Sequence, residues 1–469
     1  MIFYQNTLGG KMKHFDAIFI GGGPSGIVAA TTAKKLNPEK SFLMLKEEEK
    51  GLVPCGIPYI FHELSDISQN AMGPKPFINL GGEVINDTVE KINLEEKSLV
   101  TKSGKDFTFE KLIFATGSVP TEPKFIKGYR LEGVKYIKKS YNYMESLAEK
   151  VKSVKNIIVV GGGFIGVETA EQLALNEDKV VSLIEAEKFC LGRAFSKQMC
   201  QTIDTDIRKT KINLYTNVLL KEIVGENGKV KEVLLSDGTV IKADMVIATI
   251  GYIPNTTLAR EAGLEINSRN AIRVDNYLKT NKPNVYAIGD CSQTTGFITG
   301  RTDSVMLAST AASEARILGY NLYDVSLTRP FPGALSVFST VLNDTAYASA
   351  GGVVESVLEE ATINYITGEF EDVDKHPGTL KDTSKLYVKL VVSPQTGIII
   401  GCEMRGGKSI GELINLAALT IEKSMTVYEM LSFQVGTHPL LTTAPTKYVL
   451  IKAAENAISN IKKKCNCKY

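Results

Sequence analysis

The 469-residue chain has no tryptophan, only four histidines and seven cysteines, and its formal net charge is only +2. The cysteines are too scattered for the disulfide framework of a small secreted protein. The near balance of charge argues against nucleic-acid binding as the main function. No apolar run approaches the ~18 residues of a membrane span, and residues 1–13 lack the pattern of a signal peptide. We therefore expect a cytoplasmic protein that binds neither nucleic acid nor membrane.

What the chain does contain is one pattern written twice: an apolar strand, a glycine-rich turn, a helix and a second apolar strand. The two strands that enter the turns are Ala17–Ile20 and Ile157–Val160, and helices are predicted over residues 27–35 and 167–174. The second strands and the later strands that echo each other are Phe42–Leu45, Val180–Ile184, Leu112–Gly117 and Val246–Gly251. One glycine motif is a weak signal, but two in matching contexts predict two dinucleotide-binding units.

Each glycine in these turns has a separate task. The first allows the tight turn, the second lets the backbone approach a pyrophosphate, and the third lets the helix pack on the strand. These glycines are Gly21, Gly23 and Gly26 in the first unit and Gly161, Gly163 and Gly166 in the second. The helix N-terminus then offers free N–H groups to the phosphates. We expect the residues between the glycines, Pro24, Ser25, Phe164 and Ile165, to line the same sites.

An acidic residue about 20 positions after the motif should bind a ribose. Glu185 ends the second strand of the second unit and fits this role, and Ala186 follows it, so no arginine is present there to bind a 2′-phosphate. This favours NAD over NADP. In the first unit the candidate is Glu47, in a run of three glutamates. Two dinucleotide sites in one chain are most simply filled by NADH and a flavin, between which a hydride can pass.

A cysteine close to the first motif is the candidate reactive group. Cys55 lies between Pro54 and Pro58, and the residues after it are predicted to begin a helix, which would lower the thiol pKa. A thiolate there could attack a disulfide or persulfide, or form a sulfenic acid. The alternative is a structural cysteine in a proline-bounded loop.

Taken together, these motifs resemble the flavin-dependent pyridine nucleotide–disulfide oxidoreductases over nearly the whole chain. The residues that match the FAD signatures are Thr116, Gly117 and Asp290, the last on the flavin ribityl chain, and those that match the NADH signatures are Glu168, which helps to seat the nicotinamide, and Gly251. The segment from about Gly333 resembles the family's dimerisation domain. The resemblance implies FAD and NADH as cofactors, with NADPH less favoured, and a homodimer.

The surroundings of Cys55 resemble the single-cysteine branch of that family. The branch includes CoA-disulfide reductases, persulfide and polysulfide reductases, and NADH oxidases and peroxidases. The positions five residues away are Lys50 and Ile60, so no second cysteine forms a redox disulfide there. Pro24 stands where the oxidases and peroxidases carry histidine, which counts against that subgroup.

A histidine–proline pair in the C-terminal region resembles the acid/base histidine of the two-cysteine branch. His438 stands where CoA-disulfide reductases have a tyrosine before two prolines, which puts CoA in doubt. The resemblance implies that His438 serves the cysteine of the neighbouring subunit. His62, seven residues after Cys55, is the rival candidate, and a hydrogen-bonded loop histidine is the alternative for both. Imidazole suits proton transfer because it titrates near neutral pH.

The C-terminal residues carry one further thiol pair, Cys465 and Cys467, among lysines. They are either a second redox pair that relays electrons to a bulky acceptor or part of a mobile basic tail. Two thiols are too few for a closed zinc site, and we expect no metal.

The sequence thus predicts an α/β protein with two Rossmann-like domains and a C-terminal α+β dimerisation domain. The predicted bounds are 1–123 with 244–323 for FAD, 124–243 for NAD, and 324–469 for dimerisation with the Cys-x-Cys tail. We expect an enzyme that oxidises NADH and reduces a small disulfide, persulfide or polysulfide, or a protein disulfide, through Cys55. The alternatives are an NADH oxidase or peroxidase with a cysteine sulfenic acid, and a non-catalytic redox sensor.

Overall fold

The computed structural model describes residues 12–303, 305–328 and 330–466. The first part of the chain builds a sheet whose central strands are parallel, in the order β5-β2-β1-β8-β7-β6, with β19 (Val285–Ala287) beside β8. Strands β1 and β2 are covered on both faces, which is why they read as continuous apolar runs. The elements are β1 (Lys13–Ile20), α1 (Pro24–Leu36), β2 (Phe42–Lys46), β3 (Gly51–Leu52), β4 (Ala71–Met72), α2 (Lys75–Asn79), β5 (Glu83–Asn86), β6 (Val89–Asn93), β7 (Ser98–Thr101), β8 (Asp106–Phe114) and β9 (Ser118–Pro120), with 3₁₀ turns at Pro54–Gly56, Pro58–Phe61 and Ile67–Asn70.

The second unit repeats this architecture with a five-stranded parallel sheet in the order β10-β17-β11-β12-β13. An antiparallel β14-β15-β16 sheet follows, and its first turn is the Asn227–Gly228 pair, both with positive φ. The elements are β10 (Val134–Tyr136), α3 (Tyr141–Lys152), β11 (Asn156–Val160), α4 (Phe164–Ala174), β12 (Val180–Ile184), α5 (Lys197–Ile207), β13 (Asn213–Tyr215), β14 (Leu220–Glu226), β15 (Lys229–Leu235), β16 (Val240–Lys242) and β17 (Met245–Ala248).

One predicted domain boundary differs from the structure. Strand β17 was assigned to the returning FAD segment, but it pairs with β10 and β11 inside the second sheet. The second unit therefore extends at least to Ala248. The physical reason is that β17 occupies the place that β8 occupies in the first sheet, beside the strand that enters the glycine turn.

The chain then returns to the first unit. Strand β18 pairs with β9, so the outgoing and returning connections form one antiparallel ribbon between the two units. Helix α7 packs along α1, where a Cβ added at Gly319 would lie 2.7 Å from Cβ of Thr32. The elements are β18 (Tyr252–Pro254), α6 (Thr257–Glu261), β19 (Val285–Ala287), β20 (Thr294–Thr295), β21 (Thr302–Asp303) and α7 (Ala308–Asn321), with a 3₁₀ turn at Gly289–Cys291.

The third unit is a five-stranded antiparallel sheet in the order β22-β23-β26-β25-β24, covered by helices α9 and α11. Its core lies between the sheet and those helices. The elements are β22 (Phe338–Leu342), β23 (Thr345–Gly351), α8 (Glu355–Glu360), β24 (Ile366–Val373), β25 (Lys385–Val392), β26 (Ile399–Gly406), α9 (Ile410–Glu422), α10 (Val427–Met430) and α11 (Val449–Asn466), with a 3₁₀ turn at Pro445–Lys447.

Two general searches of the described residues gave negative results. None of their helices combines the length and the apolar character needed to cross a bilayer. The same part of the chain brings no three histidine, cysteine or carboxylate side chains together in a way that could hold a metal ion.

Candidate active site

The two glycine turns have the same backbone geometry. The N–H of Gly21 donates to the carbonyl of Leu45 and that of Gly161 to the carbonyl of Ile184, both at 2.8 Å. The φ angles of Gly21 and Gly161 are +116° and +108°, which L side chains rarely adopt. These contacts bring the strand, the turn and the second strand of each unit to one edge of its sheet.

The second and third glycines of each turn face different surroundings. A Cβ at Gly26 or Gly166 would lie 2.1 or 1.8 Å from the carbonyl oxygen of the first glycine, so the third glycine is needed for packing. A Cβ at Gly23 or Gly163 would meet nothing within 4 Å. This leaves an open backbone surface at each helix N-terminus, which fits a pyrophosphate and therefore one dinucleotide in each unit.

The predicted ribose carboxylate of the second unit lies where it is needed. Glu185 follows β12, its Oε2 accepts from the N–H of Gly162 at 2.5 Å, and its Oε1 accepts from the N–H of Glu187 at 2.7 Å. These bonds hold the carboxylate beside the glycine turn, so it can accept the hydroxyls of a bound ribose.

The first unit differs, and the prediction for Glu47 needs correction. Ile20 pairs with Leu45 as Val160 pairs with Ile184, so Lys46 is the structural equivalent of Glu185. The Lys46 stem packs beneath Gly22, and its ammonium donates to the carbonyl of Glu49 at 2.7 Å. Glu47 lies one position further along and is exposed. The segment from the first glycine to this position is one residue longer in the first unit than in the second, so Lys46 rather than Leu45 stands in the register of the carboxylate.

The carboxylate predicted to bind the flavin chain lies on the 3₁₀ turn Gly289–Cys291. Asp290 Oδ2 accepts from the hydroxyl of Ser118 at 2.7 Å and forms an ion pair with Lys139. Behind it, the fully buried Glu314 accepts from the N–H of Gly289 at 2.7 Å. Burial raises the pKa of Glu314 to about 8. Glu314 therefore fixes the backbone that presents Asp290.

The two signature segments beside this turn are joined. The Thr116 hydroxyl donates to the carbonyl of Asn255 at 2.7 Å, and the N–H of Asn255 donates to the carbonyl of Gly117 at 2.9 Å. Gly251, at the other end of β18, has a φ of +104° and open space where a Cβ would stand. The structure thus gathers the predicted FAD residues at the carboxyl edge of the first sheet.

Cys55 lies on the 3₁₀ turn Pro54–Gly56, and its side chain is exposed. The predicted α-helix is absent here because prolines 54 and 58 restrict the segment to two short 3₁₀ turns. The pKa of the thiol is raised rather than lowered, first by desolvation and then by the negative charge of Glu168. Asp290 acts in the same direction, while Lys139 opposes both. The other cysteines whose side chains the structure describes are buried.

Helix α4 of the second unit lies against this segment. Its Gln172 accepts from the N–H of Glu63 at 3.1 Å, and the Asn176 amide just after the helix donates to the carbonyl of Phe61 at 3.1 Å. Tyr59, on the intervening turn, has a pKa raised to about 12 by burial and by the charge of Glu168. The structure therefore brings the cysteine segment, the flavin signatures and the nucleotide helix together.

The N-terminal half of the same helix contacts the third unit. Oε1 of Glu168 accepts from the hydroxyl of Thr340 on β22 at 2.9 Å, and the ring of Phe164 stacks on that of Phe338 with centroids 5.0 Å apart. Glu168 is half-buried, and desolvation raises its pKa from 4.5 to about 7. The predicted nicotinamide-seating residue is thus held between two units.

The predicted histidines lie apart from one another. His62 is exposed, and its Nδ1 lies 3.2 Å from the side-chain oxygen of Asn176. His438 is exposed on a loop of the third unit, where its Nδ1 accepts from the N–H of Leu440 at 3.2 Å. Among the described residues of this single chain, no hydrogen bond joins either histidine to Cys55. Cys467 lies outside the described residues, and the side chain of Cys465 is also not described.

Several residues of the site escaped the sequence prediction. Lys46 could have been found by counting back from the end of β2 rather than forward from the glycines. Lys139, Thr340 and Glu314 carry no local signal, because each reaches the site across 25 or more residues of sequence.

The comparisons with known proteins agree with this geometry. Residues 15–315 match the family described as pyridine nucleotide-disulphide oxidoreductase, and residues 337–449 match the dimerisation domain of that family. An NAD(P)H coenzyme A polysulfide/persulfide reductase of Pyrococcus horikoshii is 30% identical over 421 residues, which cover 88% of this chain and 92% of that protein. An NADH oxidase of Methanocaldococcus jannaschii is 27% identical over 465 residues, which cover 96% of this chain and all of that protein.

Solved structures show the same architecture. A NAD-dependent persulfide reductase from A. fulgidus matches with a TM-score of 0.87 at 25% identity, covering 96% of this chain and 83% of that one. A water-forming NADH oxidase from Lactobacillus brevis shares the fold, with a TM-score of 0.87 at 21% identity over 96% of this chain and all of that one. The predicted fold of two dinucleotide-binding domains and a dimerisation domain is confirmed.

Proposed function

The chain belongs to the pyridine nucleotide–disulphide oxidoreductase family, and from that premise we propose that it uses NADH to reduce a disulfide, persulfide or polysulfide through Cys55. The observation that carries the proposal is the placement of one exposed thiol between the flavin signatures and the nucleotide helix. The charges of Glu168, Asp290 and Lys139 all act on that thiol. The names of the P. horikoshii and A. fulgidus proteins support the sulfur acceptor.

The cofactors would be held by the residues already described. Gly21, Gly23, Gly26 and Asp290 would hold FAD, and Gly161, Gly163, Gly166 and Glu185 would hold NADH. Ser118 and Glu314 fix Asp290 for this contact. When bound, FAD carries the two electrons of NADH to the sulfur bonded to Cys55.

The chain's own chemistry is thiol exchange. The Cys55 thiolate attacks one sulfur of the acceptor, a Cys55–substrate disulfide forms, the acceptor's sulfur–sulfur bond breaks, and the other sulfur leaves as a thiolate. Two electrons then cleave the new disulfide, which restores Cys55 and releases the second thiol. The sum is NADH, one proton and one disulfide giving NAD⁺ and two thiols.

The proton steps need a base and an acid because the pKa of the Cys55 thiol is raised. We assign both steps to His438 of the neighbouring subunit of a homodimer, in accord with the dimerisation-domain match. The N–H of Leu440 donates to Nδ1 of His438, so the neutral ring carries its proton on Nε2. Nε2 is then the atom that accepts the thiol proton and gives it to the leaving thiolate.

The experiment that tests the proposal is NADH oxidation without oxygen. Wild type and Cys55→Ser are compared with small disulfides, CoA disulfide and inorganic polysulfide as acceptors. We expect turnover with at least one acceptor, and its reduction to the background rate in the variant. Cys402→Ala, which changes a buried thiol of the third unit, is the matched control and should keep its activity. Undiminished disulfide turnover in Cys55→Ser would exclude the thiol mechanism.

A second candidate function is oxidation of NADH by oxygen or peroxide, with Cys55 cycling through sulfenic acid. The match to the whole length of the M. jannaschii NADH oxidase favours it. Its signature in the same experiment is the lack of turnover with every sulfur acceptor, and the return of turnover when air or peroxide is admitted.

A further inference from the structure

The loop that carries His438 is a turn closed largely on itself. The N–H of His438 donates to the hydroxyl of Thr442 at 3.0 Å. In return, the N–H groups of Leu441 and Thr442 donate to the carbonyl of His438, each at 3.0 Å. The histidine and the two leucines at 440 and 441 are exposed, so these internal bonds, rather than packing, give the turn its shape.

A second histidine attaches this turn to the sheet. His376 lies on the connection between β24 and β25, and its backbone N–H donates to the carbonyl of Pro439 at 3.0 Å. Its ring Nδ1 lies 2.9 Å from the carbonyl oxygen of Thr442. A carbonyl oxygen can only accept, so Nδ1 carries a proton and donates. The two bonds hold the turn on either side of its midpoint.

The connection that carries His376 is itself anchored. The N–H of Asp374 donates to the carbonyl of Ser384 at 3.0 Å, and the Asp374 carboxylate accepts from the N–H of Ser384 at 2.8 Å. These bonds close the base of the connection where β24 ends and β25 begins. His376 therefore transmits the position of a rigid sheet to an otherwise exposed turn.

We propose that His376 is a positioning residue, which holds the turn of His438 in the place where its ring can exchange a proton with the partner's bound sulfur substrate. The inference rests on the proposed function and adds a residue to its acid/base apparatus. Proton transfer needs the donor within hydrogen-bond reach, and a displacement of about 1 Å can lower a rate by about 10²-fold. The turn alone cannot supply such placement, because its own bonds fix its shape and not its location.

The sharpest test exchanges donor for acceptor without a change of shape. In His376→Asn the amide N–H can replace the Nδ1 donor, whereas in His376→Asp a carboxylate of the same size faces the carbonyl of Thr442. We expect the Asn variant to keep turnover within about threefold and the Asp variant to lose about 10- to 100-fold. His376→Leu removes the donor without adding charge, and we expect an intermediate loss of about 10-fold.

The leaving group separates positioning from general damage to the fold. An alkyl disulfide releases a strongly basic thiolate, which needs a proton. An aromatic disulfide such as 5,5′-dithiobis(2-nitrobenzoate) releases a weakly basic thiolate, which leaves without one. We expect the Asp and Leu variants to lose more turnover with glutathione disulfide or cystamine than with the aromatic acceptor, because the aromatic acceptor still needs the base step but not the acid step. A merely structural role would lower both rates equally. FAD content and dimer mass are measured for each variant. If the Asp variant does not fold, the result of the Leu variant decides the test.

His438→Gln, measured with the same two acceptors, distinguishes a failure of the positioning inference from a failure of the proposed function. If its turnover falls more with the alkyl than with the aromatic disulfide while His376→Asp and His376→Leu match wild type with both, the positioning inference is wrong and the proposed function stands. If His438→Gln turns over both acceptors like wild type, the acid role in the proposed function fails, and the inference fails with it.

Discussion

The two glycine units of this chain are nearly identical in backbone and different in what surrounds them. In each, the N–H of the first glycine donates at 2.8 Å to the carbonyl of the residue that pairs with the end of the entering strand, Leu45 or Ile184. A later strand, β8 or β17, pairs with the other edge of the entering strand. Helix α1 then packs against α7 of its own domain. Helix α4 instead contacts β22 through Glu168, and Gln172 and Asn176 at its C-terminal end contact the Cys55 segment. The same local pattern thus gives one helix that packs within its own unit and one that contacts both of the other units.

The ribose positions differ in charge as well. Lys46 stands in the flavin unit where Glu185 stands in the nucleotide unit. The carboxylate is held ready to accept ribose hydroxyls, while the ammonium is bound to the carbonyl of Glu49. The comparison supports the proposal that the shared backbone binds a pyrophosphate in each unit, and it predicts that the two units bind their adenosines through different residues.

The largest effect should come from the third glycines. We expect Gly26→Ala and Gly166→Ala to destabilise the protein by about 3 kcal/mol or more, because the new Cβ would overlap a carbonyl oxygen. Gly23→Ala and Gly163→Ala are the matched controls and should fold, since their Cβ atoms meet open space. Thermal unfolding measures stability, and FAD absorbance and NADH titration measure binding.

The two control variants also test whether FAD and NADH bind to different units. Gly23→Ala should lose FAD, and Gly163→Ala should keep FAD and bind NADH more weakly. If either control loses both ligands, the two sites are not independent.

The half-buried carboxylate of α4 gives the next largest effect. The pKa of Glu168 is raised from 4.5 to about 7, so its neutral form is favoured in the folded protein. Its contribution to stability is complete below pH 4.5 and is lost as the pH rises through about 7. We expect wild type to lose about 3 kcal/mol relative to Glu168→Gln across that range.

The measurement is urea unfolding of both proteins at pH 4.5 and pH 8, values that lie on either side of the shift. Glu145→Gln, on the exposed face of α3, controls for the loss of a carboxylate. Stability curves of wild type and Glu168→Gln that stay parallel with pH would contradict the prediction.

The third largest effect should come from reversing the charge at the ribose position of the nucleotide unit. Glu185→Lys places in the nucleotide unit the residue type that Lys46 provides at the equivalent position of the flavin unit. We expect kcat/KM for NADH to fall by about 10- to 100-fold, because charged hydrogen bonds contribute about 1.5–3 kcal/mol each, and the NADPH/NADH ratio to rise. Glu185→Gln should give a smaller loss without the change in preference. An unaltered ratio in Glu185→Lys would show that Glu185 does not contact the ribose.

The smallest effect should come from Lys46 itself. Lys46→Met keeps the stem that packs beneath Gly22 and removes only the bond to Glu49. A single intramolecular hydrogen bond contributes about 1 kcal/mol, so we expect FAD dissociation to change by less than about fivefold. Rapid loss of FAD from this variant would mean that the ammonium does hold the ribose.

Local patterns predicted the repeated units well. The helices predicted over 27–35 and 167–174 are observed at Pro24–Leu36 and Phe164–Ala174, and the second strands agree within one residue. These elements depend on apolar runs and glycine turns that sequence displays directly.

The errors lie where distant segments decide the structure. The boundary at residue 243 missed β17, because only sheet pairing shows which unit a buried strand joins. Two prolines replace the helix expected at Cys55 by 3₁₀ turns, and desolvation, together with the charge of Glu168, raises the thiol pKa that was expected to fall. Glu47 was chosen by distance along the chain, whereas the register of β1 and β2 selects Lys46. The contact of Thr340 with Glu168 spans 172 residues and leaves no local trace.

The attachment of α4 to both of the other units has a consequence for the timing of the reaction. A swing of the nucleotide domain away from the rest would break the bonds of Asn176 to Phe61 and of Thr340 to Glu168 together, along with the stacked rings of Phe164 and Phe338. Bonds that must break in concert make such an opening rare. The nucleotide should therefore enter and leave a site of fixed geometry, and the turnover number should be set by chemistry or by ligand release rather than by domain closure.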